Sequence, residues 1–123
     1  MARYYIASLI TKCGEYDFTE FVRFAMREPD KDFFDKPDEV AMREAFNYHN
    51  ETAQYWYNED GGGEKEEDTD QPYWTFNGGE VAVMAGYPRE ISESTFNEMA
   101  MIHDLTDWEL RKEIRNERRQ NKS

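Results

Sequence analysis

The side chains in this chain that could take part in chemistry are mostly carboxylates. Its 123 residues include 27 Asp and Glu, 15 Lys and Arg, two histidines and one cysteine. Close acidic pairs such as Asp30 with Asp32, or Asp35 with Asp38, could act as a general acid and base or as magnesium ligands. A chain this acidic produces such pairs by chance, and solvated faces or helix caps explain most of them. A small metal-dependent enzyme with a carboxylate pocket is therefore the third-ranked hypothesis.

The histidines and the cysteine do not form a recognisable catalytic or metal-binding pattern. His49 and His103 each fall on an apolar stripe of a predicted helix, which is typical of core or boundary histidines, and neither has a second ligand at metal-binding spacing. Cys13 lies in a predicted turn without a basic neighbour that would activate it. We therefore expect no catalytic residues, no metal and no cofactor.

The segment 58–71 concentrates negative charge beside glycines. It carries seven acids against the single base Lys65, so it supplies half of the net charge of −12. Consecutive glycines and a run of like charges cannot bury apolar surface, and the pattern predicts a solvated, Gly-rich surface loop. The acids are Glu59, Asp60, Glu64, Glu66, Glu67, Asp68 and Asp70.

Aromatic residues flank this acidic segment on both sides. Tyr55 and Tyr57 precede it and Tyr73 follows it, while Trp56 fits the apolar face of a helix. Rigid aromatic side chains surrounded by polar groups are typical of protein-binding hot spots. We predict that these three tyrosines and the seven acids bind a partner. Plain packing at a sheet edge is the alternative explanation, and the sequence leaves both open.

The apolar patterns predict an α+β fold with the order ββαββαα. Strands over 3–12 and 16–26 would form one hairpin, and strands over 73–76 and 80–87 a second one around the turn signal Asn77-Gly78-Gly79. Together they would give a four-stranded antiparallel sheet. The apolar side of the second strand would carry Phe18, Val22, Phe24 and Met26.

Three helices are predicted, about 36–57, 93–104 and 107–119, and they would lie mainly on one face of the sheet. Ser92 is the expected N-cap of the second helix, and Thr106 with Glu109 forms a capping-box pattern before the third. Residues 111–123 form a basic helical tail. We expect residues 1–123 to make a single domain.

The charge distribution limits the class of partner. A strongly acidic chain repels nucleic-acid phosphates and anionic membranes, so we expect no direct binding of duplex DNA and no membrane association. No stretch approaches the length of a membrane span, and a lone cysteine requires no oxidising compartment, so a cytoplasmic location is expected.

The leading functional hypothesis is a non-enzymatic, acidic protein-binding domain that docks on a basic surface of a partner protein. In a more specific form it is an inhibitor that occludes a nucleic-acid-binding site, with DNA mimicry as a further sub-hypothesis. Its composition resembles that of the small acidic inhibitors that phages and mobile elements use in counter-defence. The second hypothesis is a structural or accessory protein that acts by homo-oligomerisation.

Overall fold

The computed structural model describes residues 2–29, 36–57, 63–66 and 72–121 and shows an α+β fold. Within these ranges, seven strands form one mixed sheet and three helices pack against it. The strand order is β3-β4-β5-β1-β2-β7, and β6 pairs with the first half of β1. The strands are β1 (Ala2–Cys13), β2 (Tyr16–Arg27), β3 (Glu64–Glu66), β4 (Tyr73–Phe76), β5 (Val81–Ala85), β6 (Arg89–Ile91) and β7 (His103–Asp104). The helices are α1 (Pro37–Tyr57), α2 (Glu93–Glu98) and α3 (Trp108–Asn121).

The two longest strands, β1 and β2, form the predicted first hairpin. They pair antiparallel in one continuous register from Ala2 opposite Arg27 to Cys13 opposite Tyr16. Gly14 in the turn has a φ of 62°, a conformation that glycine adopts without strain. The apolar run at the start of β1 gives this strand side chains to bury on both faces, which places it inside the sheet.

Helix α1 covers one face of the sheet, where most of the core lies. Tyr5, Leu9 and Phe24 are fully buried there against Ala45 and Ala53 of the helix. Burial of each large apolar side chain contributes about 1.5–3 kcal/mol. The prediction of a helix over 36–57 is confirmed. Small alanine side chains on its buried face let α1 approach the sheet closely.

Helices α2 and α3 pack on the opposite face, so the prediction that the helices lie mainly on one face is wrong. Phe96 of α2 and Leu110 of α3 form a buried cluster with Tyr4 and Ala25. Tyr4 is adjacent in the chain to Tyr5, and adjacent side chains of a strand point to opposite faces. Both faces therefore offer aromatic surface that a helix must cover.

The predicted four-stranded antiparallel sheet and the order ββαββαα do not match in detail. The four predicted strands correspond to β1, β2, β4 and β5, and Asn77, Gly78 and Gly79 form the second turn with positive φ angles. The structure adds β3, β6 and β7, and β7 pairs with β2 in parallel. These strands have two or three residues each, too few for an alternating pattern, and they form because a longer strand provides a pairing edge.

The segment 58–71 is not entirely a solvated loop, contrary to the prediction. Glu64, Lys65 and Glu66 pair antiparallel with β4 as β3. Successive side chains of a strand point to opposite faces and so have different surroundings. A run of acids therefore does not exclude an edge strand.

The second helix is shorter than predicted. It begins at Glu93, with the Ser92 hydroxyl accepting a hydrogen bond from the Thr95 backbone N–H at 3.1 Å, as expected of an N-cap. It ends at Glu98 rather than near 104. Arg23 of β2 donates to the Phe96 and Ile102 carbonyls at 2.7 and 2.9 Å, which draws the following chain into strand pairing.

Helix α3 is close to the predicted range 107–119, but its cap differs. The Asp107 carboxylate accepts hydrogen bonds from the backbone N–H groups of Glu109 and Leu110 at 3.1 and 3.4 Å. Thr106 instead accepts from the buried Ala25 N–H at 2.9 Å. The predicted Thr106–Glu109 capping box is therefore wrong, because the Thr106 hydroxyl is already bonded to β2.

Candidate protein-binding site at the β3–β4 edge of the sheet

Lys65 fixes the orientation of the short strand β3. Its ammonium nitrogen lies 3.0 Å from Glu51 Oε1 on α1 and 5.6 Å from the centroid of the Trp74 ring. The Lys65 side chain therefore points to the α1 side of the sheet. Because side chains alternate along a strand, Glu64 and Glu66 point to the opposite face. Both are exposed.

On that opposite face, Glu66 begins a cross-strand row that becomes apolar. Its partner in β4 is Tyr73, the partner of Tyr73 in β5 is Met84, and the partner of Met84 in β1 is Ile10. Tyr73, Met84 and Ile10 are partly buried, whereas α2 and α3 pack farther along this face at Tyr4. Acidic groups therefore border a strip of accessible apolar surface.

Tyr55 and Tyr57 lie in the last turn of α1, on the other side of the same sheet edge. They are 52% and 48% exposed. The Tyr57 hydroxyl accepts a hydrogen bond from the Asn77 side-chain amide at 2.9 Å, and its ring lies 5.2 Å from that of Phe76. These contacts hold Tyr57 against the β4–β5 turn while about half of its surface stays accessible.

The predicted partner-binding residues therefore separate into two groups. Glu64, Glu66 and Tyr73 share one face of the sheet, and Tyr55 and Tyr57 lie on the α1 side. The edge strand β3 stands between these groups. The remaining predicted acids fall outside the described residues: Glu59, Asp60, Glu67, Asp68 and Asp70.

The described residues contain no group of three or more His, Cys, Asp or Glu side chains that could hold a metal ion. His49 is fully buried in the core and stacks on Phe24 at 5.8 Å between ring centroids. His103 differs from the expectation of an apolar helical stripe, because it lies exposed on β7. Cys13 is exposed near the tip of the first hairpin.

An exposed aromatic group at the far end of the first hairpin was not predicted. Tyr16, Phe18 and Phe21 are 70%, 53% and 57% exposed, although the strand pattern placed Phe18 on the core side. Phe18 does share a face with Val22, but α1 does not extend to it. The length of β2 could have predicted this exposure, because a strand of 12 residues extends beyond the surface that one helix covers.

Among the described residues, no helix has the length and apolar character needed to cross a membrane. Comparison with known proteins finds no matching family model, no matching curated protein and no matching solved structure.

Proposed function

We propose that this protein is a non-enzymatic binding domain that docks on a basic surface of another protein through the β3–β4 edge. The observation that carries this proposal is the combination of accessible tyrosines on both faces of the edge with outward-pointing glutamates on β3. Accessible tyrosines supply contact area at a low entropic cost, and the glutamates supply charge that selects a basic partner.

The charge of the whole chain supports the same choice of partner. A net charge of −12 attracts cationic surfaces over the Debye length and raises the rate of encounter with them. Acidic rim residues contribute more to encounter and specificity than to the final affinity, whereas buried aromatic contacts determine how long the complex lasts. The two kinds of residue at this edge therefore have separate roles.

In the more specific form of the proposal, the partner binds nucleic acid and the carboxylates occupy positions that phosphates would take. This would make the protein an inhibitor of the phage or mobile-element type. The exposed side of α1 does not contribute to such mimicry, because Arg43 and Asn47 interrupt its acids. Mimicry would have to come from β3 and the adjoining acidic segment.

The test begins with affinity capture from the source organism under low-salt and high-salt washes. The retained protein is then purified and titrated against three variants. Glu64→Gln with Glu66→Gln should weaken binding about tenfold, mainly by slowing association. Tyr73→Ala and Tyr55→Ala remove an aromatic anchor on opposite faces of the edge, so their separate effects identify which face contacts the partner.

The matched control is Glu44→Gln with Glu98→Gln, which removes the same charge at two exposed positions away from this edge. Its affinity should stay within about twofold of the parent protein. Equal weakening in the control and in the Glu64/Glu66 variant would mean that only net charge matters. Unchanged binding in the Glu64/Glu66 variant and in both tyrosine variants would overturn the proposed site.

A second candidate function is self-association through β2, favoured by its open outer edge. Among the described strands, β7 pairs with β2 only at Val22 and Arg23. The Arg23 carbonyl accepts from the Leu105 N–H, so the backbone groups of Arg23 point outward. By the same alternation, those of Asp17, Thr19 and Phe21 point outward too, where β2 of a second copy could pair antiparallel.

Sedimentation velocity over a range of concentrations tests this second candidate. Thr19→Pro removes an outward N–H and should abolish the dimer, since proline is tolerated at an edge position whose N–H faces away from the sheet. Thr19→Val keeps the N–H and is the matched control. A protein that stays monomeric at every concentration would exclude self-association and leave the first proposal unaffected.

A further inference from the structure

One cavity of the described part of the chain is a basic cleft in an otherwise acidic protein. It has a volume of about 690 Å³ and lies where α2 and β7 meet α3. Among the described residues, five arginines line it, and Asp104 is the only acidic residue that does. The arginines are Arg23, Arg111, Arg115, Arg118 and Arg119. With a chain charge of −12, this local excess of positive charge requires an explanation.

Three of these arginines already have partners. Arg23 donates to two backbone carbonyls and lies 4.6 Å from the centroid of the Phe96 ring. Arg111 donates to the Asp104 carbonyl at 2.9 Å and lies 3.7 Å from its carboxylate. Arg118 contacts Glu93 and Asn97 at 3.3 and 3.0 Å. These contacts hold the wall of the cleft in place.

Arg115 and Arg119 have no hydrogen-bond or ion-pair partner in the described part of the chain. They are four residues apart on α3, so their side chains occupy neighbouring positions on one side of the helix. Arg115 lies one turn from both Arg111 and Arg119 and three residues from Arg118, and like charges at such spacing destabilise a helix. The buried Nε of Arg111 also lacks a hydrogen-bond partner. The cleft therefore has unused donors as well as unneutralised charge.

We propose that this cleft binds a small oligophosphate, such as the phosphate chain of a nucleoside di- or triphosphate, through Arg115 and Arg119. The planar, forked guanidinium matches phosphate oxygens in charge and in hydrogen-bond geometry. The bound phosphates would relieve the repulsion among the arginines. The cleft volume falls within the range of about 300–1,000 Å³ that small-molecule sites occupy.

A small ligand fits this surface better than a nucleic acid does. A longer polyanion would extend from the cleft over a surface with many carboxylates, which repels phosphates. Single-stranded nucleic acids also need accessible aromatic rings on which bases stack. The two rings that line the cleft, Tyr4 and Phe96, are 8% and 6% exposed, so they offer little surface for stacking.

Isothermal titration of the full chain with sodium tripolyphosphate tests the proposal. We expect saturable binding of one tripolyphosphate per chain, weaker binding of inorganic phosphate, and weakening as salt is added. Arg115→Gln with Arg119→Gln should lower the affinity for tripolyphosphate about tenfold or more, because two charge-assisted contacts are lost. Both side chains are exposed, so the thermal melt of this variant should stay close to that of the parent protein.

The matched control is Arg43→Gln with Lys12→Gln, which removes two exposed positive charges that do not line the cleft. Its affinity should stay within about threefold of the parent protein, as expected of screened charges at a distance. Titration with ATP shows whether a base adds to the binding of the phosphate chain. Tighter binding of ATP than of tripolyphosphate supports a nucleotide as ligand, and equal binding supports the phosphate chain alone.

Three results would overturn the proposal. The first is an absence of saturable binding of tripolyphosphate up to millimolar concentration. The second is equal weakening in the cleft variant and its control. The third is tighter binding of a 12-nucleotide single strand than of tripolyphosphate, which would replace the small ligand by a nucleic acid. The cleft and the β3–β4 edge share no residue, so none of these results bears on the proposed protein-binding site.

Discussion

At the scale of single residues, His49 is an ionisable group that is fully buried in the core. Its Nε2 lies 2.8 Å from the Ser8 carbonyl oxygen, so this nitrogen must carry the hydrogen and donate it. Its buried Nδ1 has no hydrogen-bond partner. Burial lowers the pKa of His49 below its usual value, and the hydrogen bond to Ser8 opposes this shift only in part.

This lowered pKa predicts a loss of stability in mild acid. The unfolded chain protonates His49 near pH 6.5, whereas the folded protein does so only at lower pH. Below about pH 6.5 the unfolded state therefore binds more protons, and the free energy of unfolding falls until the pH reaches the lowered pKa of the folded protein. Urea unfolding at several pH values should show a steeper fall for the parent protein than for His49→Gln.

The exposed His103 provides the control for this prediction. His103→Gln removes an imidazole that stays exposed in the fold, so it controls for the loss of a histidine without a change in the buried core. The pH dependence of the unfolding free energy that remains in His49→Gln is then due to groups other than His49. Parallel curves for the parent protein and His49→Gln would show that burial of His49 does not contribute.

Gly86 illustrates close packing between two strands. A methyl group at this position would lie 2.0 Å from Ser8 Oγ and 3.3 Å from the Ser8 carbonyl oxygen, while the Gly86 N–H already donates to that carbonyl at 2.9 Å. We predict that Gly86→Ala lowers the free energy of unfolding by about 1–3 kcal/mol, as overpacking does.

A double-mutant cycle with Ser8→Ala identifies the cause of this effect. If the Ser8 hydroxyl is the obstacle, Ser8→Ala should recover part of the loss in the Gly86→Ala background. The contact with the Ser8 carbonyl would account for the rest. Additive effects of the two substitutions in thermal or urea unfolding would contradict a direct clash.

At the scale of elements, Thr106 connects β2 to the segment that precedes α3. Its Oγ1 accepts from the buried Ala25 N–H, and its own N–H donates to the Asp104 carboxylate at 2.9 Å. Thr106→Val keeps the shape but leaves the Ala25 N–H without an acceptor. We predict a loss of about 1–3 kcal/mol in the free energy of unfolding, the cost of an unsatisfied buried donor.

Thr106→Ser, which keeps the hydroxyl, is the control for this connection and should retain most of the stability. Hydrogen exchange adds a local measurement, because the Ala25 amide should exchange faster in Thr106→Val than in Thr106→Ser. Equal stabilities for the valine and serine variants would show that the hydroxyl of Thr106 contributes no more to this connection than its methyl group does.

The elements that the sequence predicts well are those with many residues in a regular pattern. The hairpin of β1 and β2, the 21-residue helix α1 and the Ser92 cap all follow from local periodicity or hydrogen-bonding chemistry. The strands β3, β6 and β7 do not, because their existence depends on pairing with a strand distant in sequence. The end of α2 depends on Arg23, which is 70 or more residues away from the carbonyls it binds.

The candidate sites also combine features that the local sequence predicts with features that depend on contacts distant in sequence. The acids and tyrosines around 58–71 stand out in the sequence, but only the pairing of β3 shows that Glu64 and Glu66 share a face with Tyr73 and not with Tyr55. For the basic tail, the sequence predicted a helix rich in positive charge. The structure leaves Arg115 and Arg119 beside a cleft, without a hydrogen-bond or ion-pair partner among the described residues, a result that depends on how α3 packs.

At the scale of the whole molecule, charge is distributed unequally over the surface. The β3–β4 edge carries exposed glutamates, while the cleft beside α3 collects arginines. Arg3 neutralises part of the acidic excess, because its guanidinium contacts Glu28, Asp38 and Glu90 at 2.7 to 3.0 Å. Elsewhere most carboxylates are exposed and repel one another across the surface.

This excess of negative charge predicts that added salt stabilises the fold and weakens the binding of a basic partner. Raising ionic strength from about 0.02 to 0.3 M shortens the Debye length from about 20 to about 6 Å, which screens repulsion among surface carboxylates. The free energy of unfolding should then rise by about 1 kcal/mol, as measured by urea unfolding. The affinity for a basic partner should fall over the same range, because the same screening weakens attraction between the two proteins.

A rise in stability together with a fall in affinity would support electrostatic docking. Partial unfolding would instead make stability and affinity fall together. Sodium chloride and sodium sulfate at equal ionic strength should act alike on the partner complex, whereas sulfate would compete additionally at the arginine cleft. Stability that falls with salt would show that ion pairs such as those of Arg3 outweigh the repulsion among the exposed acids. An affinity independent of salt would contradict docking of the β3–β4 edge on a basic surface.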